Sequence, residues 1–110
     1  VHGLQDLVIR YDGGTLKTYQ GAAEIAYPGA RASVASWAQH NKANLKPVFG
    51  PTYDFSDRAS GDDTRTTYHP GGAAAAELWA IAGEGHVPRL SSAFHEAAVR
   101  WMLSHRKASD

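Results

Sequence analysis

The 110-residue sequence has no cysteine, no net charge and no long apolar run. Without cysteine, disulfides, thiolate catalysis and cysteine-ligated zinc sites are excluded. The formal charge of +0, from 11 basic and 11 acidic residues, argues against a nucleic-acid or anionic-membrane binder driven by bulk charge. No apolar run approaches the ~20 residues that a membrane-spanning helix needs. We therefore expect neither nucleic acid nor a membrane among its partners.

Metal-binding motifs are also missing. Six histidines are present, but none forms an H-x-x-x-H pair or an H-E-x-x-H motif. Asp57, Asp62 and Asp63 lack the spacing of an EF-hand loop and are interpreted as a solvated loop. We expect no metal and no cofactor.

The composition is that of a soluble globular protein, with 43% hydrophobic and 20% charged residues. A chain of this length corresponds to one domain or part of one. The sequence begins at Val1, with no initiator Met and no signal peptide, so we expect the natural start to have been removed or to lie upstream.

Hydrophobic periodicity and β propensity predict two helices and two strands. The helices are expected at residues 30–42 and at about Ser91–His105, where apolar residues recur at intervals of three and four. The strands are expected at 64–69 and 77–82, and the two can form a hairpin with a long connection. The three tryptophans are expected in the core: Trp37, Trp79 and Trp101.

The rest of the chain is predicted to be loop or has no clear pattern. Residues 3–14 are expected to be a loop with a short extended piece at 7–9, and residues 15–27 show no clean period. Residues 43–63 are rich in Pro, Gly and Asp and are expected to be mostly loop. Val1 and His2 are interpreted as the end of a strand. The resulting order of strand end, helix, two strands and C-terminal helix is typical of an α/β protein.

Asp6 and His86 are the candidate chemical pair, because each follows a predicted strand end. Ligand and catalytic groups of α/β sheets lie on such loops. A serine nucleophile needs a neutral imidazole to take its proton, and a carboxylate holds that imidazole in one tautomer. The simpler alternatives are that His86 is an ordinary loop histidine and that Asp6 caps a turn.

Four segments of the sequence, taken in order, resemble one enzyme family. They are the stretch from His2 to Gly14, Ser33-Val34-Ala35-Ser36-Trp37 with Asn41, Thr66-Thr67-Tyr68 with Glu77 to Ile81, and Gly83-Glu84-Gly85-His86. They resemble the polyhydroxybutyrate depolymerase and feruloyl/acetyl xylan esterase group of α/β-hydrolases. The patterns of that group are HG-x-x-D-x-x-V-P-Y before a Gly pair, a Trp before Asn-Gly-Cys, and Gly-Gly-Gly-His-x-Trp-Pro.

The resemblance implies the C-terminal portion of an α/β-hydrolase sheet and ester hydrolysis through an acyl-serine intermediate. It implies that Asp6 is the triad acid and His86 the general base. It also implies a polyester or acylated polysaccharide as substrate, and an extracellular or periplasmic location. We expect Gly13 and Gly14 to let the backbone approach the site and Tyr11 to contact substrate. Loop tyrosines can stack on an aromatic acid or a sugar; the others are Tyr19, Tyr27 and Tyr53.

Several features depart from the family pattern. Both cysteines of its disulfide are absent together, and Val87 directly precedes Pro88 where the family has a Trp. No serine lies in a G-x-S-x-G elbow, and the chain order in α/β-hydrolases is Ser, acid, His. We therefore interpret residues 1–110 as a single partial domain that is inactive alone and acts on an ester only with an upstream segment. The alternative is a non-catalytic α/β interaction module or remnant that binds a partner through exposed apolar surface.

Overall fold

A computed structural model describes residues 1–18, 21, 23–58 and 60–105. Within these residues it contains two helices, α1 and α2, and six strands, β1 to β6. In chain order they are β1 His2–Gly3, β2 Gly13–Lys17, β3 Glu24–Pro28, α1 Ala30–His40, β4 Val48–Tyr53, β5 Thr64–His69, β6 Ala76–Ile81 and α2 Ser92–Ser104.

Four of the strands form a mixed sheet in the order β1-β6-β5-β4. β5 and β6 are antiparallel, with Thr64 opposite Ile81 and His69 opposite Ala76, so the predicted hairpin is confirmed. β1 pairs with β6 in parallel through His2 and Gly3. The sheet and its two helices make an α/β arrangement, as the sequence predicts at this level.

The core lies between the sheet and α2. Trp79 and Ile81 of β6 face the same way and pack with Phe55, which is 1% exposed. Phe94 and Trp101 of α2 cover this cluster. Because side chains alternate along a strand, the other side of β6 faces α1, which packs against this strand.

One of the three tryptophans lies outside the core, contrary to the prediction. Trp37 is 64% exposed, whereas Trp79 is buried and Trp101 is half-buried. α1 buries Ala38. Since successive residues on a helix are about 100° apart at 3.6 residues per turn, burying Ala38 leaves Trp37 on the flank of the helix.

The prediction that residues 43–63 are mostly loop is wrong for β4. This strand occupies an edge of the sheet and pairs with β5, with a register shift between Phe49 and Thr52. Pro51 lies in that irregular stretch, where a missing backbone N–H does not break a ladder. Val48 and Phe49 are exposed because they lie on this edge strand.

The first part of the chain also differs from the prediction. Residues 7–9 form a bend instead of an extended piece. The pair Gly13-Gly14 begins β2 instead of ending a segment, and β2 pairs with β3 in a separate antiparallel hairpin. The side chains of this hairpin are largely exposed on both faces, which explains why the apolar residues of 15–27 show no clean periodicity.

Candidate active site

The loop after β1 is folded around the carboxylate of Asp6. Its Oδ1 accepts hydrogen bonds from the backbone N–H groups of Val8 and Ile9, both at 2.9 Å. An aspartate that accepts from the backbone shortly after itself is a common turn-forming arrangement. Asp6 therefore does cap a turn, but only one of its oxygens is needed for that purpose.

The other oxygen of Asp6 meets the imidazole of His86. His86 lies on the loop after β6, and its Nδ1 is 3.0 Å from Asp6 Oδ2. β1 and β6 are parallel neighbours, so their carboxyl ends and the loops that follow them share one edge of the sheet. The fold thus brings together the two residues that the sequence singles out, although they are 80 positions apart.

The pairing fixes the tautomer of a neutral His86. An ionised carboxylate can only accept, so Nδ1 carries the hydrogen and donates it to Asp6. The lone pair of the neutral ring is then on Nε2. The side chain of His86 is 48% exposed, whereas that of Asp6 is 6% exposed. A buried carboxylate therefore orients a partly exposed imidazole.

Asp6 is held in its ionised form. Burial of the carboxyl favours its neutral form, but the hydrogen bonds from His86, Ile9 and Val8 outweigh this effect and lower the pKa of Asp6. A second histidine lies close by, since His2 Nε2 is 3.6 Å from Asp6 Oδ2. That nitrogen donates to the carbonyl of Ile9 at 2.8 Å, which ties the strand before Asp6 to the turn after it.

The two loops approach each other so closely that residue 3 has to be glycine. A Cβ added at Gly3 would lie 2.6 Å from the carbonyl oxygen of Gly85 and closer still to that of Glu84. Gln5 binds the facing loop twice. Its N–H donates to the carbonyl of Glu84 at 2.9 Å, and its Oε1 accepts from the N–H of Gly83 at 2.6 Å.

Glu84 is a buried carboxylate that sequence reasoning missed. It is 0% exposed. Its Oε1 accepts from the hydroxyl of Ser56 at 2.5 Å, and its Oε2 accepts from Arg58 Nε and the N–H of Arg89, both at 3.0 Å. Burial would raise the pKa of Glu84, but the hydrogen bonds from Ser56, Arg89 and Arg58 outweigh it and lower that pKa. A glutamate between two glycines gives no sequence signal of burial.

Tyr11 lies against His2, whereas Gly13 and Gly14 lie beside β3. The ring of Tyr11 meets that of His2 edgewise, with centroids 5.7 Å apart. A Cβ added at Gly14 would meet the hydroxyl of Tyr27 at 2.8 Å, and one at Gly13 would meet the backbone just after β3. The observed close approach of these two glycines is therefore to β3 and its end, and the substrate-binding role expected of Gly13, Gly14 and Tyr11 stays a prediction.

The other tyrosines are predicted to lie in loops, but Tyr27 lies in β3 and Tyr53 in β4, where they have separate packing roles. Tyr27 accepts a hydrogen bond from the N–H of Arg10 through its hydroxyl, at 2.9 Å. Tyr53 stacks on Phe55 with centroids 4.6 Å apart. Tyr19 lies outside the described residues.

Within the described part of the chain, no serine hydroxyl is hydrogen-bonded to His86. Ser56 is buried and its hydroxyl donates to Glu84 instead. Among the same residues, no group of three metal-ligating side chains is found, and neither helix is long and apolar enough to cross a membrane.

Asp63 corrects one expectation, since it is half-buried instead of solvated. Its carboxylate accepts from the N–H groups of Phe55 and Ser56, at 3.0 and 2.9 Å. It also accepts from the hydroxyl of Thr64 at 2.7 Å. Asp63 therefore fixes the segment that carries Ser56.

Comparisons with models of known protein families, with curated proteins and with solved structures gave no significant match. The resemblance to the esterase group therefore depends on the sequence motifs described above.

Proposed function

We propose that Asp6 and His86 are the acid and the general base of a serine carboxylic-ester hydrolase. The observation that carries this proposal is the 3.0 Å hydrogen bond from His86 Nδ1 to Asp6 Oδ2, at the carboxyl ends of two parallel neighbouring strands. The substrate class is that of the resembling family, a polyester or an acylated polysaccharide.

In the proposed reaction, Nε2 of His86 takes the proton from a serine hydroxyl as that oxygen attacks the ester carbonyl. It then returns the proton to the leaving alkoxide, and water repeats the cycle on the acyl-serine. Asp6 keeps the imidazole in the required tautomer and stabilises its protonated form. The serine and the oxyanion donors are supplied by residues outside this chain, since no G-x-S-x-G elbow occurs in its sequence.

The exposure of the His86 side chain supports a chemical role for this residue over a purely structural hydrogen bond between the two loops. A structural hydrogen bond between two loops gains nothing from a half-exposed ring, whereas a general base must be reachable by its substrate. Asp6 is buried and ionised, which suits an orienting group that does not itself exchange protons.

The test is ester hydrolysis by the chain extended upstream in its natural sequence. With a short-chain aryl ester, His86→Ala should reduce kcat by at least about 10²-fold, the usual contribution of a general base. His95→Ala is the matched control, because His95 is an exposed histidine on α2. Equal rates for His86→Ala and the unmodified protein would refute the role of His86.

The 110-residue chain alone provides a second part of the same hydrolysis test. Its rate with the same ester should equal that of the same 110-residue chain carrying His86→Ala, because neither contains a nucleophile elbow. Turnover by the isolated chain that is abolished by His86→Ala would show that the nucleophile lies within these residues.

A second candidate function is an interaction module, and the exposed apolar surface favours it. A groove of about 730 Å³ lies between the sheet and α1, lined by side chains that include Leu4, Val34 and Leu78. Phe49 at its rim is 71% exposed. Size-exclusion chromatography separates the candidates: a folded, clean monomer favours an independent module, whereas association favours a sheet that needs the rest of a hydrolase.

A further inference from the structure

We propose that Glu84 is a positioning residue that sets the place of His86 relative to Asp6. Its role in catalysis rests on the function proposed above, because positioning matters only if His86 is the base. The positioning itself is a property of this chain and can be measured without turnover.

The backbone of Glu84 joins the two loops of the site. Its carbonyl oxygen accepts from the N–H of Gln5, the residue directly before Asp6, at 2.9 Å. A Cβ on Gly3 would collide with the same carbonyl. Glu84 is thus in direct contact with the Asp6 loop, two residues before His86.

The side chain of Glu84 closes the loop that contains His86. Its Oε2 accepts from the N–H of Arg89 at 3.0 Å, so a ring of six residues is completed around His86. The far end of this loop is bound in turn, because the carbonyl of Arg89 accepts from the N–H of Asp57 at 2.7 Å. One residue therefore holds both the start and the end of the loop.

Ser56 and Arg58 connect this loop to the core. The hydroxyl of Ser56 donates to Oε1, and Ser56 forms an antiparallel bridge with Leu90. Ser56 follows Phe55 of the core cluster directly, and Asp63 binds the backbone N–H of both. The carboxylate of Glu84 therefore connects the core to the loop that contains His86 through hydrogen bonds.

The negative charge of Glu84 strengthens the hydrogen bonds that hold the loop. A buried carboxylate is costly unless it is paired and its lone pairs are used. Here one cation, Arg58, and two further donors satisfy it. Hydrogen bonds to a charged acceptor are shorter and stronger than neutral ones, so removing the carboxylate releases three donors together and frees the loop.

The experiment uses nuclear magnetic resonance on the 110-residue chain labelled with nitrogen-15. Long-range proton–nitrogen correlations of the His86 ring, assigned with His86→Ala, report which ring nitrogen carries the proton in mildly alkaline buffer. Amide hydrogen exchange of Arg89 reports closure of the loop. In the unmodified chain the proton is expected on Nδ1 and the Arg89 amide is expected to be protected.

In Glu84→Ala the Nδ1–H form of the neutral His86 ring should lose population. The Arg89 amide should exchange about tenfold faster or more, and tenfold is equivalent to about 1.4 kcal/mol. The matched control is Glu77→Ala, since the carboxylate of Glu77 also accepts two side-chain hydrogen bonds, from Trp79 and Trp101. It should change the indole signals and leave the His86 ring unchanged.

Two further variants keep the test decisive if Glu84→Ala fails to fold. Ser56→Ala and Arg58→Met each remove one donor to Glu84 and should shift the same two signals in the same direction, by less. A folded Glu84→Ala with an unchanged His86 ring would overturn the proposal, as would unchanged signals in both single-donor variants.

Failure of the proposed function gives a different result. In that case the upstream-extended chain would hydrolyse esters equally well with His86→Ala, while the ring and amide signals would still respond to Glu84→Ala. If only the positioning role of Glu84 is wrong, His86→Ala abolishes turnover and the signals of the His86 ring stay unchanged in Glu84→Ala.

Discussion

A methyl group at position 3 should separate the two halves of the site. In Gly3→Ala the new Cβ would lie 2.6 Å from the carbonyl oxygen of Gly85 and would also meet that of Glu84. Carbon–oxygen contacts begin at about 3.3 Å, so the loops have to move apart by roughly 0.7 Å at Gly85 and by more at Glu84. Both obstacles are backbone atoms, which no change of side-chain rotamer can relieve.

The cost of Gly3→Ala follows from two effects. Overpacking of this kind costs about 1–3 kcal/mol. The hydrogen bond from Gln5 N–H to the Glu84 carbonyl, now 2.9 Å, is stretched and adds about 1 kcal/mol. The two effects involve the same Glu84 carbonyl and therefore overlap, so we expect the free energy of unfolding to fall by about 1–4 kcal/mol in urea titration.

Gly85→Ala is the matched control for Gly3→Ala. It adds the same methyl group on the facing loop, where the nearest atom to a Cβ is Gln5 O at 3.8 Å. Stability should change by less than about 0.5 kcal/mol, or rise slightly because the unfolded chain loses freedom. Equal stability of the two variants would refute the close approach described at Gly3.

Two other perturbations test the core and the buried acids. Phe55→Ala should lower the free energy of unfolding by about 3–5 kcal/mol, whereas Phe49→Ala, at an exposed site, should change it by less than about 0.5 kcal/mol; urea titration measures both. The pKa values of Asp6 and Glu84 are lowered in the folded state, so their stabilisation is present above their unfolded pKa values of roughly 4 and is lost as pH falls through the folded ones. Thermal unfolding between neutral pH and pH 3 should therefore depend less on pH in Asp6→Asn and Glu84→Gln, and an equally steep loss in both variants would contradict this assignment.

The sequence predicts the regular elements where burial is one-sided or complete. α1, α2, β5 and β6 lie where periodicity places them, and the α/β order follows from them. β4 could not be predicted in the same way because an edge strand tolerates Pro51 and exposes Phe49. The β2–β3 hairpin could not be predicted from periodicity either, because neither of its faces is buried and its sequence shows no apolar alternation.

The sequence also predicts only part of the candidate site. Asp6 and His86 stand out because each follows a strand and because motif order links them across the chain. Glu84 does not, since its burial depends on Ser56 and Arg58, which lie about 26–28 residues earlier and are brought close only by the fold. Local sequence can suggest which residues carry chemistry, but it contains little information on which residues hold them.

The two-residue strand β1 has a consequence for how the protein folds. Its partner in β6 is 78 residues away, with His2 opposite Ala80 and Gly3 opposite Ile81. Closing a loop of that length costs roughly 4 kcal/mol of chain entropy from the logarithmic loop term, and only the two residue pairs and the hydrogen bonds of Gln5 and Asp6 to the loop after β6 offset it. The β4–β5–β6 meander, by contrast, is built from contacts close in sequence. We therefore expect the meander to form first and the first nine residues to dock last and detach first. The partly unfolded state of lowest free energy would then keep the β4–β5–β6 meander intact while Asp6 and His86 are separated.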